Sequence, residues 1–259
     1  VTGSYGKIGA AVLCTTACVR AGAGLTSCHI PACGYEVLQT AIPEAMVFSD
    51  EEEKMISAVT EDISKFSVVG IGPGIGTSET TASAVSALLP KLSSPAVIDA
   101  DGLNIISRDV SLLERIPTGS VLTPHPGEFQ RLFGKPANEF DRLKTAAAMA
   151  EKYDCVIIVK GHHTCIVTPG GRFYFNTTGN AGLAKGGTGD VLTGIIVAML
   201  AQKYEPIAAA ILGVYLHGLA ADLGAQKMSE EALTAGDIID HLGEAFLAIS
   251  AGVGNPVIF

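Results

Sequence analysis

The sequence predicts an α/β fold in three layers, a mostly parallel central sheet with helices on both faces. Three observations predict it. Hydrophobic residues make up 48% of the 259-residue chain and charged residues only 17%, so much of the chain is buried, as in a sheet covered on both sides. Short apolar runs alternate with helical segments, the pattern of strand, crossover helix and parallel strand. Each apolar run ends in a cluster of Gly, Pro or polar residues. No repeat, linker or low-complexity tract divides residues 1–259, which read as a single domain with a full core.

In chain order, Gly3-Ser4-Tyr5-Gly6-Lys7-Ile8-Gly9 is a glycine loop that opens a small-residue helix over Ala10–Ala21. A strand is expected just before Val1, so the chain starts in or after its first strand. Leu25–Pro31 reads as the next strand, and Glu51-Glu52-Glu53-Lys54 as a solvated loop or helix start. Ser67–Ile71 is a short buried strand ending in Gly72-Pro73-Gly74-Ile75-Gly76, followed by a helix from Thr77 or Ser78 to Leu89. Ala96–Ile98 is a strand ending in Asp99-Ala100-Asp101-Gly102-Leu103-Asn104. Val121–Thr123 ends in Pro124-His125-Pro126-Gly127-Glu128. A helix over Glu139–Lys152 precedes the strand Cys155–Val159. Pro169-Gly170-Gly171 turns a hairpin between Ile166–Thr168 and Phe173–Asn176. Helices then occupy Thr188–Ala201, Ile207–Leu223 and Ala235–Ile249.

A net charge of −9 without a Lys/Arg cluster excludes nucleic acid as a partner. No apolar run is read as membrane-spanning, and no signal-peptide pattern is present. Six Cys occur, with Cys14 and Cys18 one helical turn apart and no Cys-x-x-Cys spacing. They read as reduced core thiols of a cytoplasmic protein.

Gly179–Asp190 is the chemically richest stretch, with Gly at 179, 182, 186, 187 and 189. The apolar run after it makes a buried helix whose first turn is Gly-Thr-Gly-Asp. Unpaired first-turn N–H groups and the positive end of the helix dipole make that turn an anion site, most naturally for phosphate. Asp190 among these donors is either a cap or a base beside the phosphate. The loop is neither a Walker A motif nor a Rossmann fingerprint.

Ligands of open α/β sheets bind beyond the carboxyl ends of the strands. The clusters 72–76, 99–104, 123–128, 160–164 and 186–190 therefore meet along one edge. Gly72 and Gly74 serve either a tight turn or close approach to a ligand. His125, between two prolines, suits ligand contact. Glu128 either holds a hydrated Mg²⁺ or caps the following helix. Asp99 and Asp101 reach metal or ligand, or mark a turn. Lys160 suits a nucleotide phosphate as a point charge, and Lys185 either neutralises phosphate or is an ordinary surface lysine. His162 and His163 lack zinc-ligand spacing.

Gly72-Pro73-Gly74, Asp99–Asn104, Leu122–Glu128, Val159-Lys160-Gly161 and Asn180–Leu192 resemble the ADP/ATP-dependent NAD(P)H-hydrate dehydratases, in the same order and over nearly the whole chain. That family repairs the hydrated nicotinamide cofactors NADHX and NADPHX. The resemblance implies a ribokinase-like fold and a lyase reaction on the S epimer, with ADP or ATP as co-substrate and Mg²⁺ as cofactor. It implies that Lys160, Gly161, His162, His163 and Thr164, with Gly187, Thr188 and Gly189, meet the nucleotide. Ala10, Gly74, His125 and Asp190 would meet the hydrated dinucleotide, and Asp190 matches the catalytic carboxylate. It also implies a homotetramer and a functional partner, the NAD(P)HX epimerase, fused to many bacterial members. An epimerase domain is not recognised in this chain. The alternative is a ribokinase-like kinase of a small alcohol such as a vitamin precursor or sugar, whose phosphorylated product would persist.

Overall fold

The computed structural model describes residues 1–252; residues 253–259 of the expected domain lie outside the described residues. The chain opens with helix α1 (Ile8–Arg20), then β1 (Ser27–Ile30), α2 (Tyr35–Ala41) and β2 (Met46–Ser49). Next come β3 (Val69–Ile71), α3 (Glu79–Leu88), β4 (Ala96–Ile98), α4 (Ala100–Ile106), β5 (Val121–Leu122), α5 (Pro126–Phe133), α6 (Glu139–Tyr153) and β6 (Val156–Val159). The hairpin β7 (Cys165–Val167) and β8 (Phe173–Phe175) leads to α7 (Thr188–Ala201), α8 (Pro206–Met228), α9 (Ala235–Asp240) and α10 (Leu242–Ser250).

A six-stranded sheet runs in the order β3-β4-β5-β6-β7-β8, parallel from β3 to β6 and antiparallel beyond. β1 and β2 form a separate parallel pair. Val1 and Thr2 bridge the two: Val1 N donates to Gly70 O at 2.8 Å, while Gly72 N donates to Val1 O and Thr2 N to His29 O. Between β1 and β3 lies a cavity of about 550 Å³ lined by Cys18, Cys28, Phe48, Phe66, Val69 and Val197 among others.

Strand residues alternate between two cores, as the two-residue period of a pleated strand requires. Val97, Val121, Val156, Ile158 and Ile166 face α1, α7, α8, α9 and α10. Ala96, Ile98, Leu122, Ile157, Val159 and Val167 face α3, α4, α5 and α6. Both faces are covered, as expected. Gly194 makes the contact of α1 with α7 possible, because a methyl there would lie 2.1 Å from the Cys14 carbonyl oxygen.

Several elements differ from the sequence reading. α2 and β2 were not expected, their residues being short and mixed. The clusters after β4 and β5 are not only loops but the first turns of α4 and α5. Asp99 follows β4 directly and caps α4, and His125 follows β5 after only Thr123 and Pro124 and caps α5, which leaves little separate loop to read. The last expected helix is two, joined at His241. α8 runs for 23 residues and is long and apolar enough to cross a membrane by length and composition, which corrects the expectation of no such run. Here it is a core helix, with His217, Gly218 and Ala221 buried.

Candidate active site

The strand tips advance in step. Asp99 N donates to Ile71 O, Thr123 N to Ile98 O and Lys160 N to Pro124 O, so the chain ends of β3 to β6 stay paired as they leave the sheet. This register brings Asp99 and Lys160 together across β5. Lys160 Nζ donates to Asp99 Oδ1 at 2.8 Å, and Thr193 Oγ1, on α7, donates to Asp99 Oδ2 at 2.8 Å. Burial pushes the Asp99 carboxyl up, but the Lys160 ammonium and the hydrogen bonds outweigh it and hold the group below the ordinary carboxylate range. The pairing is therefore a carboxylate and an ammonium.

α7 starts over this pair. Its N-cap, Gly187, has φ 92°, a left-handed conformation that glycine adopts without steric cost. Thr188 Oγ1 donates back to Leu183 O and Lys185 O at 2.8 and 2.9 Å. The Lys185 ammonium donates to the carbonyls of Glu230, Glu231 and Leu233, so it ties the loop to the turn before α9 and is already engaged. The first-turn N–H groups of α7 have no helical acceptor, and they head the helix dipole. Gly189 faces the ion pair: a methyl built there would lie 3.6 Å from Lys160 Nζ and 3.7 Å from Asp99 Oδ2.

Asp190 follows directly. Burial chiefly, and then the charge of Asp99, push its carboxyl up to about 6, against the pull of Lys160. It remains mostly ionised at pH 7. Its basicity is nevertheless well above that of a free aspartate, as suits a group that accepts a proton.

Two flanks complete the edge. Gly74, at φ 67°, lies against α1: a methyl there would be 2.8 Å from Ala10 Cβ. Ala10 and Gly74 are thus in contact. A polar chain leads from them toward His125. Lys7 Nζ donates to Asp101 Oδ2 at 3.1 Å, Asn104 Nδ2 to Asp101 Oδ1 at 3.3 Å, and Arg131 Nε to Asn104 Oδ1 at 2.8 Å. His125 caps α5, its Nδ1 accepting from Gly127 N at 3.0 Å. Its Nε2 lies 3.1 Å from Glu128 Oε1, and its backbone N donates to Glu128 Oε2 at 2.8 Å. Since Nδ1 accepts, Nε2 carries the hydrogen. Burial lowers the basicity of the His125 ring, which accords with a neutral imidazole.

Glu128 Oε2 is therefore spent on a capping box, and Oε1 lies beside the His125 imidazole. Among the described residues, no group of three or more His, Cys, Asp or Glu side chains is placed to hold a metal ion. Gly161, His162 and His163 are exposed in the turn after Lys160, with the two imidazoles edge to face, and Thr164 Oγ1 donates to Gly161 O. Of the expected nucleotide residues, Lys160 and 187–189 meet at the edge, and 161–164 lead away from it. Thr193, His217 and Asp222 were missed. Thr193 and His217 lie inside apolar helical runs where only the three-dimensional contact shows their role. The large cavity beside β1 is lined by none of the expected site residues.

The profile of the NAD(P)H-hydrate dehydratase family matches residues 1–243. The bifunctional NAD(P)H-hydrate repair enzyme Nnr of Moorella thermoacetica is 40% identical over 98% of this chain, which spans about half, 51%, of that relative. The ADP-dependent (S)-NAD(P)H-hydrate dehydratase of Bacillus subtilis is 35% identical over 93% of this chain and 86% of its own length. The crystal structure of the Bacillus subtilis ADP/ATP-dependent enzyme, co-crystallised with ATP/Mg²⁺, superposes with a TM-score of 0.80 at 31% identity, covering 95% of this chain and 87% of that one. The fold is ribokinase-like. By profile, by sequence and by fold, the chain belongs to the NAD(P)H-hydrate dehydratase family.

Proposed function

We propose that the chain catalyses the ADP- or ATP-dependent dehydration of the S epimer of NADHX and NADPHX to NADH and NADPH. The observation that carries this reading is the placing of Asp190, basic for an aspartate, in the first turn of α7 and directly after Gly189, whose Cα side faces Lys160 and Asp99. An amide cradle for phosphate needs no carboxylate; a base that deprotonates an alcohol attacking that phosphate does.

The substrate hydroxyl sits on ring carbon 6, beside the ring nitrogen, and hydroxide leaves poorly. Asp190 accepts the hydroxyl proton as the oxygen attacks the terminal phosphoryl group of the nucleotide. The bond from that phosphorus to the bridging oxygen breaks, and AMP leaves from ADP, or ADP from ATP. The α7 amides and Lys160 meet the charge on the transferring group. The nitrogen lone pair then expels phosphate, carrying away the former hydroxyl oxygen, and loss of the carbon 5 proton restores the dihydronicotinamide. Mg²⁺ bound to the nucleotide would neutralise phosphate charge; Glu128 would reach it only through water. Ala10, Gly74 and His125 line the approach for the dinucleotide, and 161–164 the approach for the adenosine.

A homotetramer, a cytoplasmic location and cooperation with an NAD(P)HX epimerase belong to the same reading. The epimerase partnership is supported by the bifunctional names of the longer relatives. Incubation with NADHX and either ADP or ATP, followed by NADH absorbance, tests the activity. Recovery of NADH with stoichiometric phosphate release is expected. A stable phosphorylated product without NADH would favour the kinase alternative.

A further inference from the structure

A buried histidine holds the anion loop from behind. His217, on α8, is 8% exposed, and its Nε2 lies 2.9 Å from the Thr188 carbonyl oxygen. A carbonyl only accepts, so Nε2 carries the hydrogen. Burial pushes the ring down to about 4, and it stays neutral at physiological pH. The Thr188 C=O and the Gly189 N–H belong to one planar, trans peptide unit, in which the two groups point in opposite directions. Fixing the carbonyl against α8 therefore aims the Gly189 N–H out of the free end of α7. The rest of the loop is anchored on the same helix. Thr178 Oγ1 donates to Tyr215 O at 2.9 Å, and Gly179 N and Asn180 Nδ2 donate to the Asp222 carboxylate at 2.8 Å. Gly218 leaves the room, since a methyl there would lie 2.3 Å from Thr178 Oγ1.

We propose that His217 is a positioning residue for phosphoryl transfer: its Nε2–H fixes the Thr188–Gly189 peptide so that the Gly189 amide is presented to the transferring group. The inference rests on the phosphoryl-transfer reading of this site. A donor already aimed where charge develops needs no reorganisation during the reaction. A loosened one still binds the nucleotide but stabilises the transition state less.

The test compares wild type with H217F, H217Q and H217N, each labelled with ¹⁵N-glycine. His217→Phe keeps a ring without the donor. His217→Gln returns an N–H near the Nε2 position, and His217→Asn carries its amide too short to reach Thr188. ADP is titrated while the Gly189 amide resonance is followed, and NADHX turnover is measured on the same samples. The Gly189 amide is expected to shift on ADP binding in wild type and H217Q, and to shift much less in H217F and H217N. At saturating nucleotide, kcat is expected to fall at least ~10-fold in H217F and H217N. The nucleotide KM should stay within about threefold, and H217Q should recover most of kcat. If H217F does not fold, the H217Q and H217N pair carries the comparison. An equal Gly189 shift in all four proteins overturns the proposal, as does an equal loss in H217Q and H217N. Wild type that shifts Gly189 without turning over NADHX sinks the dehydratase reading alone, and the amide shifts of the variants still decide the role of His217.

Discussion

Lys160 and Asp99 form an ion pair, Nζ to Oδ1 at 2.8 Å, that joins the tips of β6 and β4 across β5. Asp99 is almost wholly buried and Lys160 is one-fifth exposed. The ammonium thus both neutralises a buried carboxylate and presents its remaining face to the amide end of α7. Lys160→Met strands the Asp99 charge, and breaking such a pair costs on the order of 3 kcal/mol. Urea unfolding should show that loss, and Asp99→Asn added to Lys160→Met should recover part of it. Nucleotide affinity should fall in both.

Asp190 links activity to stability. Its folded-state pKa of about 6 lies above the ordinary 3.8, so folding favours its protonated form. The native state is most favoured by this group below pH 4, and that contribution is lost as pH rises through 6. The two-unit rise corresponds to roughly 3 kcal/mol at most. Asp190→Asn is therefore expected to melt at a higher temperature than wild type at pH 8, with the gap closing toward pH 4. The same variant should lose at least ~10²-fold in dehydration while retaining nucleotide binding. Wild-type kcat should climb through a pH near 6 as Asp190 ionises. Near-normal turnover by Asp190→Asn would remove it from the mechanism.

Glu128 is expected to behave as a cap. Glu128→Ala removes the acceptor for the His125 backbone N–H and should cost on the order of 1 kcal/mol of stability, read from thermal melting. The Mg²⁺ concentration giving half-maximal activity should move less than about threefold, since no direct bond to the ion is lost. A tenfold rise would mark Glu128 as a metal ligand.

Gly72 sits where β3 meets the start of α4, at φ 130°, and a methyl there would lie 1.8 Å from the Asp99 carbonyl oxygen. Gly72→Ala must move that backbone, and Asp99 with it. A cost of more than about 3 kcal/mol is expected, together with weaker nucleotide binding. Unchanged stability and binding would show that Asp99 is held independently of this turn.

The fold class and most strands were legible because a sheet covered on both faces writes itself as uninterrupted apolar runs such as Val156–Val159. α4 and α5 were not legible. Their first turns are Asp99-Ala100-Asp101-Gly102 and His125-Pro126-Gly127-Glu128, residues that also compose turns. The site was readable where glycine and acid crowd together, as at 186–190. It was opaque where a polar residue lies alone in an apolar helix. Thr193 and His217 look like ordinary members of buried helices until the partner, Asp99 or Thr188, is known. Lys185 shows the reverse: a plausible phosphate ligand by sequence, it is held by three carbonyls of the turn before α9.

Gly194 lets the backbones of α1 and α7 touch, and Leu13 lies beside Gly187 at the same end. The two helices run parallel and consequently behave as one rigid bar, with the Ala10–Gly74 flank and the Gly187–Asp190 loop side by side at its N-terminal tip. Such a bar works as a gauge block. The spacing between that flank and that loop is machined into the core, where Gly194 packs against Cys14, Ala17 and Cys18.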